Sequence, residues 1–274
     1  ITVPSDAANY MDLSSLTTFA DSLMKTADLK QYRITGTINA NMSIIGIPIN
    51  ANIPMDFRLK LNADNTVQSA YINLDVPYFI GVLQQDMTAK VYYEDGVLYF
   101  DRNWETSTGA LWWKEYYDHH EYMKCTIDEF MANPMKYVYF CTNFTSMVEN
   151  AINDAIAKSD QKAVRTGNIM FEEALTGFYY NGSNQWNVNL DAAHLINNSD
   201  FSDQMSITVG KGSNGILNSI SLSTRVLDMI NLQLNNGQLV NADKSNVDMS
   251  VIPTGLSSNP NYVFGEVKVV ETKK

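Results

Sequence analysis

Apolar and polar residues alternate almost without a fault from residue 34 to residue 61. In ITGTINANMSI, Ile34, Gly36, Ile38, Ala40, Met42 and Ile44 share one side, and Thr35, Thr37, Asn39, Asn41 and Ser43 share the other. IPINANIPMDFRLKL then puts Ile47, Ile49, Ala51, Ile53, Met55, Phe57, Leu59 and Leu61 on one face. A period of two predicts strands with one dry and one wet face. Pro48 and Pro54 cannot donate to a ladder, which predicts an edge or bulged strand. Before this run the period is helical. Leu13, Leu16, Phe19, Ala20, Leu23 and Met24 predict an amphipathic helix near 13–26 with an apolar stripe.

Further along, VQSAYINLDV reads as a strand, PYFIGVLQQ (77–85) as a helical turn, and MTAKVYYEDGVLYFDR as a hairpin about Asp95-Gly96. Thr126 and Glu129 have capping-box spacing, and Pro134 ends the short helix they open. Phe144, Met147, Val148, Ala151, Ile152, Ala155 and Ile156 predict a second long helix. The last third returns to strands: a hairpin about Asn181-Gly182, then MSITV, ILNSISLST, INLQLNNGQLV, VDMSV and VFGEVKVVE, with turns at 212–215 and at Asn236-Gly237. DAAHLINN (191–198) reads as a helical turn.

One-sided strands and amphipathic helices must bury their faces on one another. The pattern therefore predicts an α+β fold: a strongly curved antiparallel sheet of about ten strands, a half-barrel, with amphipathic helices on its concave face. The chain is expected to be a single domain over 1–274, with a helical and aromatic insert at about 104–176.

Composition narrows the function. The net charge of -11 argues against nucleic acid, which needs concentrated Lys and Arg. No apolar run approaches a membrane-spanning length. Thirteen Met suit core filling or an adaptable apolar surface. The first residue is Ile rather than Met, which fits a processed chain whose targeting or anchoring segment has been removed.

A helix, then YRITGTI opening a meander around Gly36, then the hairpin Tyr92-Tyr93-Glu94-Asp95-Gly96-Val97-Leu98-Tyr99, then Trp104, and finally NGILNSISL (214–222) resemble the LolA/LppX-like superfamily of bacterial extracytoplasmic lipoproteins and lipid carriers. The resemblance covers most of the chain in organisation. It implies an extracytoplasmic location and an apolar cavity between sheet and helices.

The densest chemistry is WWKEYYDHHEYMKC, residues 112–125. His119 and His120 are adjacent, so an extended chain points them to opposite faces, and a helix holds them about 100° apart; neither chelates well. The segment reads as structural: Trp112 or Trp113 and Tyr116 or Tyr117 on the sheet, and Asp118 to Glu121 as a solvated junction into a helix. No metal site is expected. No nucleophile elbow, phosphate loop or activated thiol is present. A pairing of Cys125 with His119 or His120 has nothing to mark it, His194 reads as packing, and Glu172-Glu173 as surface charge. Cys125 and Cys141 are left open between free thiols and a disulfide worth about 3 kcal/mol.

The reading that follows is a non-enzymatic extracytoplasmic protein, without cofactor, that holds a lipid or other elongated apolar ligand. Its expected lining is Ile38, Met42, Ile53, Met55, Phe57, Val91, Tyr93, Met147 and Ile152. The same residues could instead close on one another in a filled core. The alternative is an exported structural or adhesion module with its interaction site on loops. A hydrolase assembled from separated residues is the third reading.

Overall fold

The computed structural model describes residues 13–44, 47–80, 83–110, 112–142, 150, 153–154, 175–180, 182, 184–190, 205–226 and 230–274. The described chain is α+β and dominated by antiparallel sheet. In order it forms α1 (Leu13–Ala27), β1 (Gln31–Ile44), β2 (Ile47–Leu61), β3 (Val67–Ile80), β4 (Leu83–Glu94), β5 (Val97–Thr108) and β6 (Glu115–Thr126). Then follow α2 (Ile127–Ala132), α3 (Pro134–Thr142), β7 (Leu175–Tyr180), β8 (Gln185–Leu190), β9 (Met205–Lys211), β10 (Leu217–Val226), β11 (Ile230–Leu239) and β12 (Lys268–Lys273). Among the described residues no helix is long and apolar enough to cross a membrane.

The chain is organised as two compact units. The first takes Ile1–Leu29, Arg33–Asn52 and Asn150–Asn246; the second takes Lys30–Tyr32, Ile53–Glu149 and Val247–Lys274.

In the first unit the strand order is β2-β1-β11-β10-β9-β8-β7. Of the predicted stripe α1 turns Phe19 inward, together with Ser22. The Phe19 ring lies 5.0 Å from Phe178 and 5.4 Å from the buried Trp186. The Thr26 hydroxyl accepts the Leu217 N–H at 2.9 Å. Leu16, Leu23 and Met24 are left exposed. Ring contacts at Phe19 set the helix's rotation, against the pull of its leucines. Asn236-Gly237 is not a turn but a bulge inside β11, where the register to both β1 and β10 slips. A Cβ on Gly237 would sit 2.2 Å from the Ile220 carbonyl oxygen, so only glycine lets the strands close there.

In the second unit the order is β12-β6-β5-β4-β3-β2. Asp95 (φ 49°) and Gly96 (φ 80°) make the β4–β5 turn. Both central residues are left-handed, as the type I′ geometry requires. β2 is not an edge strand: it has a hydrogen-bonded neighbour on each side. Its register with β3 begins at Met55, just past Pro54, so the missing donor falls before that ladder. The stretch read as a helical turn continues the strands instead, with Pro77 opposite Asp86 and Ile80 opposite Leu83. VDMSV likewise is not a strand: Val247 to Met249 are irregular, and Ser250 and Val251 lie in a turn.

Each face of this unit's sheet carries a packed cluster. On one, Val76, Met87, Ala89, Phe100, Met123 and Cys125 pack with Tyr137, Phe140 and Cys141 of α3. The capping box at α2 is formed as its spacing predicts. The Glu129 N–H donates to the Thr126 hydroxyl at 3.2 Å. The Thr126 N–H donates to the Glu129 carboxylate at 2.8 Å. Pro134 ends α2 and also opens α3, a position where its missing N–H costs nothing. On the other face Tyr71, Tyr92 and Tyr99 pack under Leu256 and Tyr262. The expected wet face is therefore dry at this patch, where tyrosines stand at its positions, and stays wet at Asp75, Asp86 and Glu105.

Candidate functional site

Five of the proposed lining residues come together on the α3 side of the second unit. The register sets Met55 against Leu74 and then Ala89, Phe57 against Ile72 and then Val91, and Leu59 against Ala70 and then Tyr93. Ile53, Met55, Phe57, Val91 and Tyr93 thus share one face. Burial falls off across it: Phe100, Met123 and Cys125 on β5 and β6 are fully covered. Ile53, Met55, Phe57 and Leu59 on β2, Ile72 and Leu74 on β3, and Val91 and Tyr93 on β4 are only half-buried. The result is a contiguous apolar surface on three neighbouring strands, half-buried at one side and filled at the other.

Ile38 lies in the first unit on β1, half-buried and opposite Leu234 of β11. Met42 is opposite Ile230 in the same ladder. Met147 and Ile152, and most of the helix they were assigned to, lie outside the described residues, as do His194, Glu172 and Glu173.

The filled side carries an ion pair on an apolar face. Arg102 of β5 binds the Glu121 carboxylate of β6 through Nε and Nη2, and both side chains are 13% exposed. Its Nη1 donates to the Phe140 carbonyl at 2.6 Å, and its guanidinium lies 4.4 Å from the Phe140 ring centre. One side chain thereby fixes the end of α3 to the sheet. Arg102 and Glu121 face each other in register.

WWKEYYDHHEYMKC is a turn and a strand. Trp112 and Trp113 do not pack on the sheet; they are 85% and 73% exposed at the β5–β6 connection. Asp118 to Glu121 are no solvated junction but the half-buried middle of β6, between β5 and β12. The sequence there gives no turn residue, and the β-forming tyrosines carry the strand straight through. His119 and His120 do point to opposite faces: His119 stacks on Trp104, His120 on Tyr122.

Cys125 and Cys141 are free thiols, buried in the same cluster. Burial raises both above the ordinary thiol range, Cys141 to about 12, so neither is an activated nucleophile. Among the described residues no group of three or more acidic, His or Cys side chains is placed to hold a metal.

On the tyrosine face the unexpected group is Asp101. It lies between Lys90 of β4 and Tyr122 of β6 in the ladder. Its Oδ1 is 4.0 Å from His120 Nδ1, and neither atom has a hydrogen-bond partner among the described residues. Burial raises the Asp101 carboxyl above its usual range, with His120 and Lys90 pulling it back. Burial and the Asp101 charge together raise Tyr92, Tyr122 and Tyr262, so these phenols stay neutral. The folded chain binds the Asp101 proton more tightly than the unfolded chain, so stability falls as pH rises from the unfolded pKa through the folded one. Asp101→Asn is expected to raise the thermal midpoint at pH 7, with the gain shrinking toward pH 4. Paired melts across that range would show it, and a lower midpoint for the variant at pH 7 would contradict it.

No family model and no curated protein matches this chain.

Proposed function

We infer that this chain is a binding protein for a lipid or another elongated apolar ligand, held against the half-buried face of β2, β3 and β4 in the second unit. The observation that carries this is the in-register set Met55, Phe57, Ile72, Leu74, Val91 and Tyr93, apolar and incompletely covered beside a fully packed core. Mixed aliphatic and aromatic side chains without a charge suit an acyl chain. In this reading the sheet curves as a half-barrel around its helices, as in the carriers the sequence resembles, and the protein works outside the cytoplasm without a cofactor.

The test is native mass spectrometry of freshly purified protein, followed by organic extraction. A co-purified acyl species released on denaturation is expected. Phe57→Glu should cut lipid occupancy at least about tenfold, since a charge must then be desolvated with the ligand, while leaving the far-ultraviolet circular dichroism unchanged. A clean protein mass, with no uptake from a mixed lipid panel, would overturn the reading.

One observation favours the second reading, an exported adhesion or structural module. Trp112 and Trp113 stand exposed together at a hairpin tip, and exposed aromatics mark interaction surfaces. Trp112→Ala with Trp113→Ala should leave lipid uptake intact if the apolar face is the site.

A further inference from the structure

The α3-side face of the second unit ends, beyond Arg102, in a cluster of different chemistry. His119 is held on three sides. The Thr106 hydroxyl is 2.6 Å from its Nε2. The Glu271 carboxylate is 3.3 Å from its Nδ1. The Trp104 indole lies parallel to the imidazole, with centres 5.2 Å apart and planes 8° apart. The register produces this arrangement. Trp104 of β5 and Glu271 of β12 are the direct partners of His119 on either side, and Thr106 stands two residues beyond Trp104 on the same face.

A carboxylate at Nδ1 holds the proton on that nitrogen and leaves the Nε2 lone pair to accept from the hydroxyl. Hydroxyl, imidazole and carboxylate are then in the order that nucleophilic acyl transfer requires. The stacked indole removes the ring's rotational freedom, so the base is aligned before any substrate arrives. Thr106 and His119 are half-buried, reachable yet partly shielded from water. The next row of the ladder sets Tyr117 opposite Thr106 and Lys273 opposite Tyr117. Both now bind Glu115.

We propose that Thr106, His119 and Glu271 form a hydrolytic site for carboxylic esters. The Thr106 oxygen bonds to the acyl carbon as its proton passes to His119 Nε2. The acyl carbon–oxygen bond to the alcohol breaks, and the alcohol leaves with that proton. Water then attacks the acyl-threonine, gives a proton to Nε2, and the released acid departs as the proton returns to Thr106. Glu271 is a positioning residue, acting through His119. The activity goes beyond ligand binding and does not depend on it, since Thr106→Val leaves the β2–β4 face untouched.

The experiment incubates the full chain with 4-nitrophenyl butyrate and follows nitrophenolate release and intact mass. Turnover above buffer and a single butyryl adduct mapping to Thr106 are expected. Thr106→Val and His119→Gln should lose about 100-fold or more of kcat/KM, the scale of one general base, and Thr106→Ser should retain activity. Glu271→Gln should lose less and displace the pH–rate profile. Thr106→Val keeps a β-favoured residue on the strand, so its melting curve should overlay that of the wild type. Turnover unchanged in Thr106→Val, absence of turnover in the wild type, or an adduct on lysine or tyrosine instead would overturn the proposal.

Discussion

Arg102→Ala is expected to cost the second unit about 3–5 kcal/mol, the loss typical of a buried ion pair stripped of one partner. Three losses coincide. Glu121 stays buried with its charge uncompensated, the Phe140 carbonyl at the end of α3 loses its donor, and the cation–ring contacts to Phe140 and Trp104 disappear. The pair itself is not expected to be worth that much, since desolvation offsets most of its attraction. Arg102→Met combined with Glu121→Met should therefore recover most of the stability. Urea titrations of the wild type, Arg102→Met, Glu121→Met and the double variant close the cycle. A single variant within about 1 kcal/mol of the wild type would place this pair among ordinary surface bridges and sink the argument.

Phe100→Ala is expected to cost about 3–5 kcal/mol, the range for a buried phenylalanine. The ring is 2% exposed and is the hub of the α3-side core. Its centre lies 5.1 Å from Tyr137, 6.2 Å from Phe140 and 6.4 Å from Phe130. The cavity therefore opens under both short helices at once. Amide exchange should rise most in α2 and α3 and least in β3, which distinguishes a hub from a uniform loss. Phe100→Leu keeps the site apolar and should cost clearly less. Equal exchange rates throughout the unit would contradict the hub.

Local rules made much of the architecture legible. Asp95-Gly96, the Thr126/Glu129 box and the eight odd apolar positions of β2 state their conformations within a few residues, and the structure follows them. The misreadings have physical causes. Asn236-Gly237 has the dipeptide of a turn, but two neighbouring strands capture it as a bulge. The predicted stripe of α1 includes Phe19, and its ring contacts with Phe178 and Trp186 turn that side inward while Leu16, Leu23 and Met24 stay exposed. Residues 77–85 were too apolar to read as strand or helix by period alone. The chemistry was least visible. Asp101 differs from any surface aspartate only in what the ladder puts beside it. Thr106, His119 and Glu271 come from three strands and share no spacing, so no motif connects them. The one available signal was the alternation itself, which puts Trp104 and Thr106 on one side of β5.

The division of the chain carries a consequence for any attempt to dissect it. β2 passes from one unit to the other between Asn52 and Ile53, inside a continuous strand. Each unit is made of three separate stretches of polypeptide, and these interleave. No single cut can release either one. A fragment ending at Glu149 would keep α1 and β1 without the β7–β11 strands they belong with, and would lack the Leu256 and Tyr262 that seal the tyrosine face. Neither unit can be exchanged as a cassette, and a working half-molecule is attainable only by splicing, with new connections made where the present chain crosses over.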